Sequence, residues 1–274
     1  MRIALIADTH LSARSPECVA NWHVARRAVA RLDVDMTVNL GDITLDGQVH
    51  GEELAFASQL MLQWPTEMRC VPGNHDLGDG SGESPLDTAL LDAYADVFGP
   101  DHWQVQAGQW NLLGINAQLL GTDSPQEEAL WEWLATQASA ADLRHTALFL
   151  HRPLLRPTPG ELTRQGRYVS AAATRRLLDG PLRRSLRLVI SGHTHQFIDT
   201  AVDGVRHLWI PSAAFILPDD MQARVGEKLV GIGLLDLSGD AARFDLWCPD
   251  GMVRHDVSKL GFFRPSPVIG AHRS

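Results

Sequence analysis

Five short hydrophobic runs in this chain each end in residue types that bind metal ions. The blocks that follow these runs are Asp8-Thr9-His10, Gly41-Asp42, Gly73-Asn74-His75-Asp76, His151 and Gly192-His193-Thr194-His195. Short apolar runs that stop at turn-forming residues predict buried strands. In sheets that alternate with helices, ligand sites gather beyond the carboxyl ends of the strands. Scattered structural histidines and aspartates would not share one position relative to five strands, so the pattern predicts one common site.

The order of the predicted elements indicates a mixed α/β fold. In the first third, strands near 2–7, 36–40 and 68–71 alternate with helices over 17–32, 51–63 and 86–97. The remainder has strands near 103–107, 110–116, 146–150, 186–190, 197–202, 205–210, 229–236 and 241–247, with helices over 125–140 and 170–179. We expect the first group to form one sheet and the later strands a second one. This predicts two mixed β-sheets packed face to face with helices outside, a four-layer αββα sandwich.

Composition limits the other classes to which the chain could belong. Of its 274 residues, 45% are hydrophobic and 21% charged, so a core can form in one domain, expected over 1–260 with a tail over 261–274. No apolar run reaches the roughly 20 residues of a membrane helix, and the N-terminus lacks signal-peptide features, so a cytoplasmic protein is expected. Three widely spaced cysteines predict reduced thiols. The net charge of −9 disfavours binding of polymeric nucleic acid, because such proteins usually present a basic face.

Seven side chains of the five blocks are candidate metal ligands: Asp8, His10, Asp42, Asn74, His151, His193 and His195. This mixture of carboxylates, amide and imidazoles could hold two divalent or trivalent ions and suits manganese, iron or zinc better than calcium or magnesium. Paired cations can clamp the attacking and leaving oxygens of a phosphoryl group, and a bridging water that loses a proton becomes the nucleophile. His75 follows Asn74 and is the candidate catalytic residue at the leaving oxygen. The pattern therefore predicts metal-assisted phosphoester hydrolysis.

The five blocks, in this order, resemble the signature of the calcineurin-like metallophosphoesterase superfamily, D-x-H, G-D, G-N-H-[DE], H and G-H-x-H. The resemblance covers residues 8 to 195. It implies that one metal is held by Asp8, His10, Asp42 and His195. It implies that the other is held by Asp42, Asn74, His151 and His193, so that Asp42 bridges the two. It also implies that His75 contacts the phosphate or the leaving group.

Within the superfamily, the chain is most similar to class III cyclic-nucleotide phosphodiesterases and related bacterial glycerophosphodiesterases. The compact spacing and the segment Gly41-Asp42-Ile43-Thr44-Leu45-Asp46-Gly47 carry this resemblance. It implies hydrolysis of small phosphodiesters, either 3′,5′-cyclic nucleotides or glycerophosphodiesters, and is compatible with a homodimer. The chain departs from these enzymes at Leu45, where an acidic or amide residue is common, and at Arg152, where a second histidine is common. Arg152 is a candidate contact for a substrate phosphate, the alternative being a position in solvent.

Other functions remain open from the sequence alone. The same metal site could serve a phosphomonoesterase or a pyrophosphatase that cuts nucleotide-diphosphate compounds. A non-enzymatic alternative is an interaction scaffold that has lost its chemistry, although all seven ligand types are intact. Outside the ligand set, Asp46 precedes Gly47 and is predicted to be a turn residue, and Asp76 is predicted to orient a neighbour or cap a turn. The loop over 152–169 begins beside His151 and could line the substrate pocket.

Overall fold

This computed structural model describes residues 1–78, 86–140, 145–156 and 167–263. The helices are α1 (Pro16–Val29), α2 (Glu52–Met61), α3 (Asn74–Leu77), α4 (Thr88–Phe98), α5 (Pro125–Ala140) and α6 (Ala171–Asp179), with a short 3-10 helix at Val257–Lys259. The strands are β1 (Arg2–Ile6), β2 (Met36–Asn39), β3 (Met68–Cys70), β4 (Trp103–Ala107), β5 (Trp110–Gly114), β6 (His145–Leu150), β7 (Leu186–Ser191), β8 (Ile198–Val202), β9 (Val205–Trp209), β10 (Phe215–Ile216), β11 (Ile232–Ser238), β12 (Ala241–Trp247) and β13 (His255–Asp256).

Two mixed sheets form the centre of the protein, as the sequence predicts. The first has the strand order β12-β11-β1-β2-β3, and the second has the order β4-β5-β6-β7-β9-β8. Between them lies a buried apolar layer that includes Leu5 of β1, Leu112 of β5 and Phe149 of β6. Helices α1, α2 and α4 pack on the outer face of the first sheet, and α5 and α6 pack on that of the second. The four-layer arrangement of helices and sheets is confirmed.

One part of the expected topology is wrong, because β11 and β12 belong to the first sheet rather than the second. Strand β11 pairs antiparallel with β1, with Arg2 opposite Asp236 and Leu5 opposite Gly233. Strand β1 is almost entirely buried, and without β11 one of its edges would have unpaired backbone groups in the interior. The late chain therefore returns to cover the first strand.

The direction of the strands determines where the ligand blocks meet. Strands β1, β2 and β3 run parallel, so their carboxyl ends lie at one edge of the first sheet. Strands β6 and β7 also run parallel, and their carboxyl ends lie together in the second sheet. The two edges are joined where the His151 side chain, after β6, contacts the backbone oxygen of Leu40, after β2, at 2.8 Å. The blocks after all five strands consequently share one region of the surface.

The C-terminal part of the described chain forms a small substructure that the sequence does not reveal. Strands β10 and β13 pair in parallel, with Phe215 opposite His255. Val257 and Leu260 are buried against this pair, and Phe262 and Phe263 pack on the same cluster. The predicted domain limits of 1–260 and 261–274 stay predictions, since 264–274 lie outside the described residues. Across the described ranges, none of the helices has the length and apolar character needed to cross a membrane.

Candidate metal centre

The seven predicted ligands lie directly beyond strand ends and come together in space. Asp8 and His10 follow β1, Asp42 follows β2, Asn74 begins α3 after β3, His151 follows β6, and His193 and His195 follow β7. Asp8, His10, Asp42 and His195 form one group, here called the first cluster, whose potential ligand atoms all lie within 4.8 Å of one another. Asp42, His151 and His193 form a second cluster by the same criterion. The two clusters share Asp42 and no other residue.

The Asp42 carboxylate presents one oxygen to each cluster. Its Oδ2 lies 3.9 Å from His10 Nε2, and its Oδ1 lies 3.3 Å from His151 Nε2. Asn74 adds an amide oxygen to the second cluster, with Oδ1 at 3.2 Å from His151 Nε2. In the first cluster, His195 Nε2 lies 3.5 Å from Asp8 Oδ1 and 3.3 Å from His10 Nε2. Asp42 is therefore placed to bridge two cations.

Hydrogen bonds at the far side of two rings determine which nitrogen faces the site. His151 Nδ1 donates to Leu40 O at 2.8 Å, and His195 Nδ1 donates to Phe215 O at 2.9 Å. A carbonyl oxygen only accepts, so in the neutral rings Nε2 carries the lone pair. His151 Nε2 then faces the oxygens of Asp42 and Asn74, which are also acceptors. A cation or a proton has to lie among these atoms, and the donor set fits a metal ion.

The electrostatics of the buried carboxylates also fit a pair of cations. Burial raises the pKa of Asp8 to about 8, although the positive charge of His151 acts against it. Burial raises the pKa of Asp42 too, but the charges of His151 and His75 outweigh it and hold that pKa well below its usual value. Burial lowers the pKa of His195 to about 4, so this imidazole is neutral near pH 7. Cations would keep both carboxylates ionised and would bind neutral imidazoles.

Five of the seven predicted ligands have a backbone conformation that residues with side chains rarely adopt. The φ angles are positive at Asp8 (50°), His10 (45°), Asp42 (49°), His193 (69°) and His195 (52°). Each such residue costs about 1–3 kcal/mol and persists where the surrounding structure fixes it, which is typical of functional sites. Both carboxylates help, because the backbone N–H of His193 donates to Asp8 and that of His75 donates to Asp42 Oδ1 at 2.9 Å.

Comparison with known families agrees with this geometry. A family model described as calcineurin-like phosphoesterase matches residues 1–197, which include all five ligand blocks. The chain belongs to the calcineurin-like phosphoesterase family. The last ligand block ends at His195, and the match ends two residues later, at position 197. The strands from β8 onward therefore lie outside the family model.

A curated relative and several solved structures are similar to this chain. A serine/threonine-protein phosphatase, CPPED1 of Pongo abelii, is 26% identical over 132 residues, which are 46% of this chain and 40% of that protein. The purple acid phosphatase PPD1 of Lupinus luteus has a TM-score of 0.64 at 12% identity, over 93% of this chain and 52% of its own. A dimetal phosphatase from Danio rerio has a TM-score of 0.61 at 16% identity, and the match covers 90% of this chain and 95% of that protein. GAP50, the anchor in the inner membrane complex of Plasmodium, has a TM-score of 0.63 at 14% identity, and the match covers 92% of this chain and 86% of that protein.

In this phosphoesterase chain, Asp76 connects two of the ligand loops and belongs to neither cluster. Its buried carboxylate accepts hydrogen bonds from the backbone N–H of Ile43 at 3.2 Å, of Thr44 at 2.9 Å and of Gly73 at 2.9 Å. The Thr44 hydroxyl donates to it as well, at 2.8 Å. Asp76 thereby holds the loop that carries Asp42 against the loop that carries Asn74, which agrees with its predicted orienting role.

Gly73 allows these two loops to approach closely, and we expect Gly73→Ala to damage the site. A Cβ at this position would overlap with the Oδ1 and the backbone of Asp42. The loops must separate, so we expect the free energy of unfolding to fall by about 1–3 kcal/mol and the protein to bind fewer than two metal ions. Chemical denaturation and metal analysis measure the two effects. Gly51→Ala is the matched control, because a Cβ there would have no neighbour within 4 Å; equal behaviour of the two variants would contradict the prediction.

His75 lies beside the first cluster, and its ring is oriented by two oxygens of the loop that follows Asp42. Its Nδ1 is 2.5 Å from Leu45 O and 3.3 Å from Asp46 Oδ1, and its ring centroid is 4.9 Å from that of His10. Burial lowers the pKa of His75, but the negative charges of Asp42 and Asp46 outweigh burial and raise this pKa to about 10. The ring is therefore a protonated donor at neutral pH in the absence of metal ions.

The sequence reading of Asp46 as a turn residue misses its contact with His75. Its carboxylate also pairs with Arg14 Nη2 at 3.3 Å, and Arg14 pairs in turn with the buried Glu53 at 2.7 Å. These contacts connect His75 to helix α2 through three charged side chains. No local signal marks this role, because an aspartate before a glycine is common in ordinary turns.

From the sequence, Arg152 is a candidate either for contact with a substrate phosphate or for a position in solvent. It is only 7% exposed, so the alternative of a solvent position is wrong. Its Nη2 donates to the backbone oxygens of Ala117 at 3.2 Å and Gln118 at 3.4 Å, in the loop after β5. These bonds direct at least one end of the guanidinium toward that loop. Contact with a substrate phosphate stays a prediction.

Proposed function

We propose that this chain is a binuclear metal-dependent hydrolase that cleaves phosphodiester bonds in small molecules, such as 3′,5′-cyclic nucleotides or glycerophosphodiesters. The observation that carries the proposal is the shared Asp42 carboxylate, whose two oxygens face two separate clusters of buried ligand atoms. In the proposal, the first cluster holds one ion, and the second cluster together with Asn74 holds the other. Manganese, iron and zinc all suit this set of nitrogen and oxygen donors.

Bound in pairs, such cations supply an activated nucleophile from water and electrostatic stabilisation of the phosphoryl oxygens. The residues of the chain supply the rest. Asp8 and Asp42 offset only part of the charge of two divalent ions, so the site keeps an excess of positive charge for an anionic substrate. The buried imidazoles of His10 and His195 have lowered pKa values, the first well below its usual range, and remain neutral donors. The bound cations would therefore attract phosphate esters to the site.

His75 is the residue that we propose to protonate the leaving oxygen. Leu45 O and Asp46 Oδ1 both face its Nδ1, so Nε2 is the nitrogen available to substrate. The His75 side chain is 35% exposed, unlike the fully buried His151, and can meet a ligand that enters from solvent. The excess positive charge of two bound ions would lower the pKa of His75, and the nearby Asp46 carboxylate acts against this by favouring the protonated ring. A positioned general acid of this kind contributes about 10²–10⁴-fold to the rate.

A phosphomonoesterase is the second candidate. The name of the similar CPPED1, a serine/threonine-protein phosphatase, favours it. Charge does not separate the two candidates, because two divalent ions with Asp8 and Asp42 leave an excess of positive charge that suits a singly charged diester and a nearly doubly charged monoester alike. Pyrophosphate cleavage in nucleotide-diphosphate compounds would use the same residues. The resemblance of the Gly41–Gly47 segment to class III phosphodiesterases is the reason to prefer the diester.

Hydrolysis of bis(p-nitrophenyl) phosphate and p-nitrophenyl phosphate, measured side by side, distinguishes the two candidates. The protein is stripped with chelator and reloaded separately with manganese, iron or zinc. We expect metal-dependent turnover, with kcat/KM for the diester at least about tenfold above that for the monoester, a preference of about 1.4 kcal/mol in the transition state. A preference for the monoester would reassign the protein as a phosphatase. A preferred diester would justify a screen of cyclic nucleotides and glycerophosphodiesters.

A scaffold without chemistry is the non-enzymatic alternative, and the similar fold of GAP50, the anchor in the inner membrane complex of Plasmodium, gives it a specific form. The complete set of seven candidate ligands, five of them with a left-handed backbone, favours the enzyme, because backbone strain of this kind is typical of functional sites. Metal content of the purified protein separates the two: a scaffold would bind no ions. A homodimer and a cytoplasmic location stay predictions.

A further inference from the structure

Phe215 contacts the first cluster in two different ways. Its ring centroid lies 4.8 Å from that of His10 and 4.7 Å from that of His195, with the planes tilted by 31° and 35°. Its backbone oxygen accepts the hydrogen bond from His195 Nδ1 at 2.9 Å. One residue of β10 thus fixes the tautomer of one candidate ligand and packs against the rings of two.

The orientation of the His10 ring depends on this packing more than that of the His195 ring does. Metal-binding histidines usually donate their second ring nitrogen to a carbonyl, carboxylate or water, which fixes the orientation of the ring. His10 Nδ1 is buried and has no hydrogen-bond partner among the described residues. Its ring is instead held between Phe215 on one side and the edge of His75, at 4.9 Å. Loss of the Phe215 ring would leave His10 free to rotate away from the cluster.

Phe215 is itself held by parts of the chain that are distant in sequence. Asn21 of α1 is 1% exposed, and its Nδ2 donates to Ala214 O at 3.1 Å and Val253 O at 2.8 Å. Its Oδ1 accepts from the backbone N–H of Val253 at 2.9 Å. The Asn21 amide therefore joins the residue before β10 to the segment before β13, which pairs with β10 at Phe215 and His255.

A second contact connects the same segment to Asp8 of the first cluster. The Ser212 hydroxyl donates to Asp8 O at 2.8 Å and accepts from the backbone N–H of Ala214 at 2.9 Å and of Phe215 at 3.2 Å. Behind Phe215, the residues of the C-terminal segment are packed at Val257, Leu260 and Phe262, the last with its ring centroid at 6.0 Å. All of these residues except Asp8 and Asn21 lie beyond position 197, where the family match ends.

We propose that Phe215, clamped by Asn21 and by the C-terminal segment 253–263, is a positioning residue for the cation of the first cluster. It sets the orientation of His10 and His195 and thereby the affinity of that ion, while the second cluster does not depend on it. The proposal rests on the proposed function, because it requires that the clusters bind metal. It gives the C-terminal segment a part in the metal centre in addition to its part in the core.

Titration of metal-free protein with Mn²⁺ alone tests this inference without reference to activity. Phe215→Leu keeps the backbone oxygen and most of the apolar volume but removes the aromatic ring, and Asn21→Ser removes the clamp while leaving Phe215 intact. We expect two ions per chain in the original protein and, in both variants, an affinity for one ion that is about 10–100-fold weaker, the usual effect of losing a partner that orients a ligand. At the Mn²⁺ concentration that just fills both sites of the original protein, its paramagnetic resonance spectrum should be that of a coupled pair, whereas the variants should give the spectrum of an isolated ion.

Phe244→Leu, on β12, is the matched control, because Phe244 is half-buried and its ring stacks on Phe197 and not on a candidate ligand. It should keep two ions of unchanged affinity. If Phe215→Leu does not fold, Asn21→Ser decides alone. Variants that lose stability but bind both ions as tightly as the original protein would overturn the positioning role. An original protein that binds no Mn²⁺ would instead overturn the proposed function.

Discussion

Asp42→Asn should remove the binuclear centre and lower kcat/KM for the diester by about 10³-fold or more. Asparagine keeps the size of the side chain but has one oxygen and no charge, so it cannot face both clusters with a carboxylate oxygen. Loss of one ion removes several kcal/mol of electrostatic stabilisation from the transition state, which corresponds to this change in rate. Metal analysis and steady-state kinetics on the same preparation measure both effects.

Asp236→Asn is the control for this substitution. Asp236 lies on β11 and makes a partly exposed ion pair with Arg2 at 3.6 Å, far from the clusters, so we expect two ions and unchanged kinetics. The fold should persist in Asp42→Asn, because asparagine has nearly the volume of aspartate and its side-chain oxygen can still accept the hydrogen bond from the backbone N–H of His75. Two tightly bound ions together with activity within tenfold of the original would contradict the bridging role.

His75→Gln should lower kcat by about 10²–10⁴-fold while both metal ions remain bound. The side chain belongs to neither cluster, so its loss should affect proton transfer rather than metal affinity. The effect should be larger for substrates with basic alkoxide leaving groups than for nitrophenyl esters, because nitrophenolate departs without a proton. Asp46→Asn should give a smaller loss of kcat in the same direction, because Asp46 orients His75 and favours its protonated form but does not itself transfer the proton.

His145→Gln is the matched control, because it replaces a histidine at the start of β6, whereas the candidate ligand His151 follows the end of that strand. His145 pairs with Asp240 at 3.4 Å, and its substitution should leave the kinetics unchanged. A loss in His75→Gln that is equal for both kinds of leaving group would argue against a general acid and for electrostatic contact with the phosphate. Loss of a metal ion in His75→Gln would show that the residue acts on the clusters instead.

The grouping of the seven candidate ligands could be predicted from the sequence because its signal is local. Each ligand type stands directly after an apolar run, and a strand end fixes the position of the next few residues. The backbone just after a strand end is tightly constrained, since Asp8 and Asp42 both adopt positive φ angles there. Helices α1 and α5 were predicted for the same reason, since their apolar periodicity and start signals lie within one segment.

The parts that sequence could not predict are those decided by contacts between distant segments. Nothing near Ile232 indicates that β11 pairs with β1 instead of joining the nearer strands of the second sheet. Strand β10 is two residues long and gains its place from β13 and Asn21, so no periodicity marks Phe215. Asp46 has the sequence signature of a turn, and only the folded chain places it against His75.

Anomalous diffraction from crystals of the manganese-loaded protein would test the central claim most directly. The account predicts two peaks at the manganese absorption edge, one among Asp8, His10 and His195 and one among Asn74, His151 and His193, with a carboxylate oxygen of Asp42 at each. A single peak, or two peaks that do not share Asp42, would contradict the binuclear centre on which the proposed hydrolysis depends.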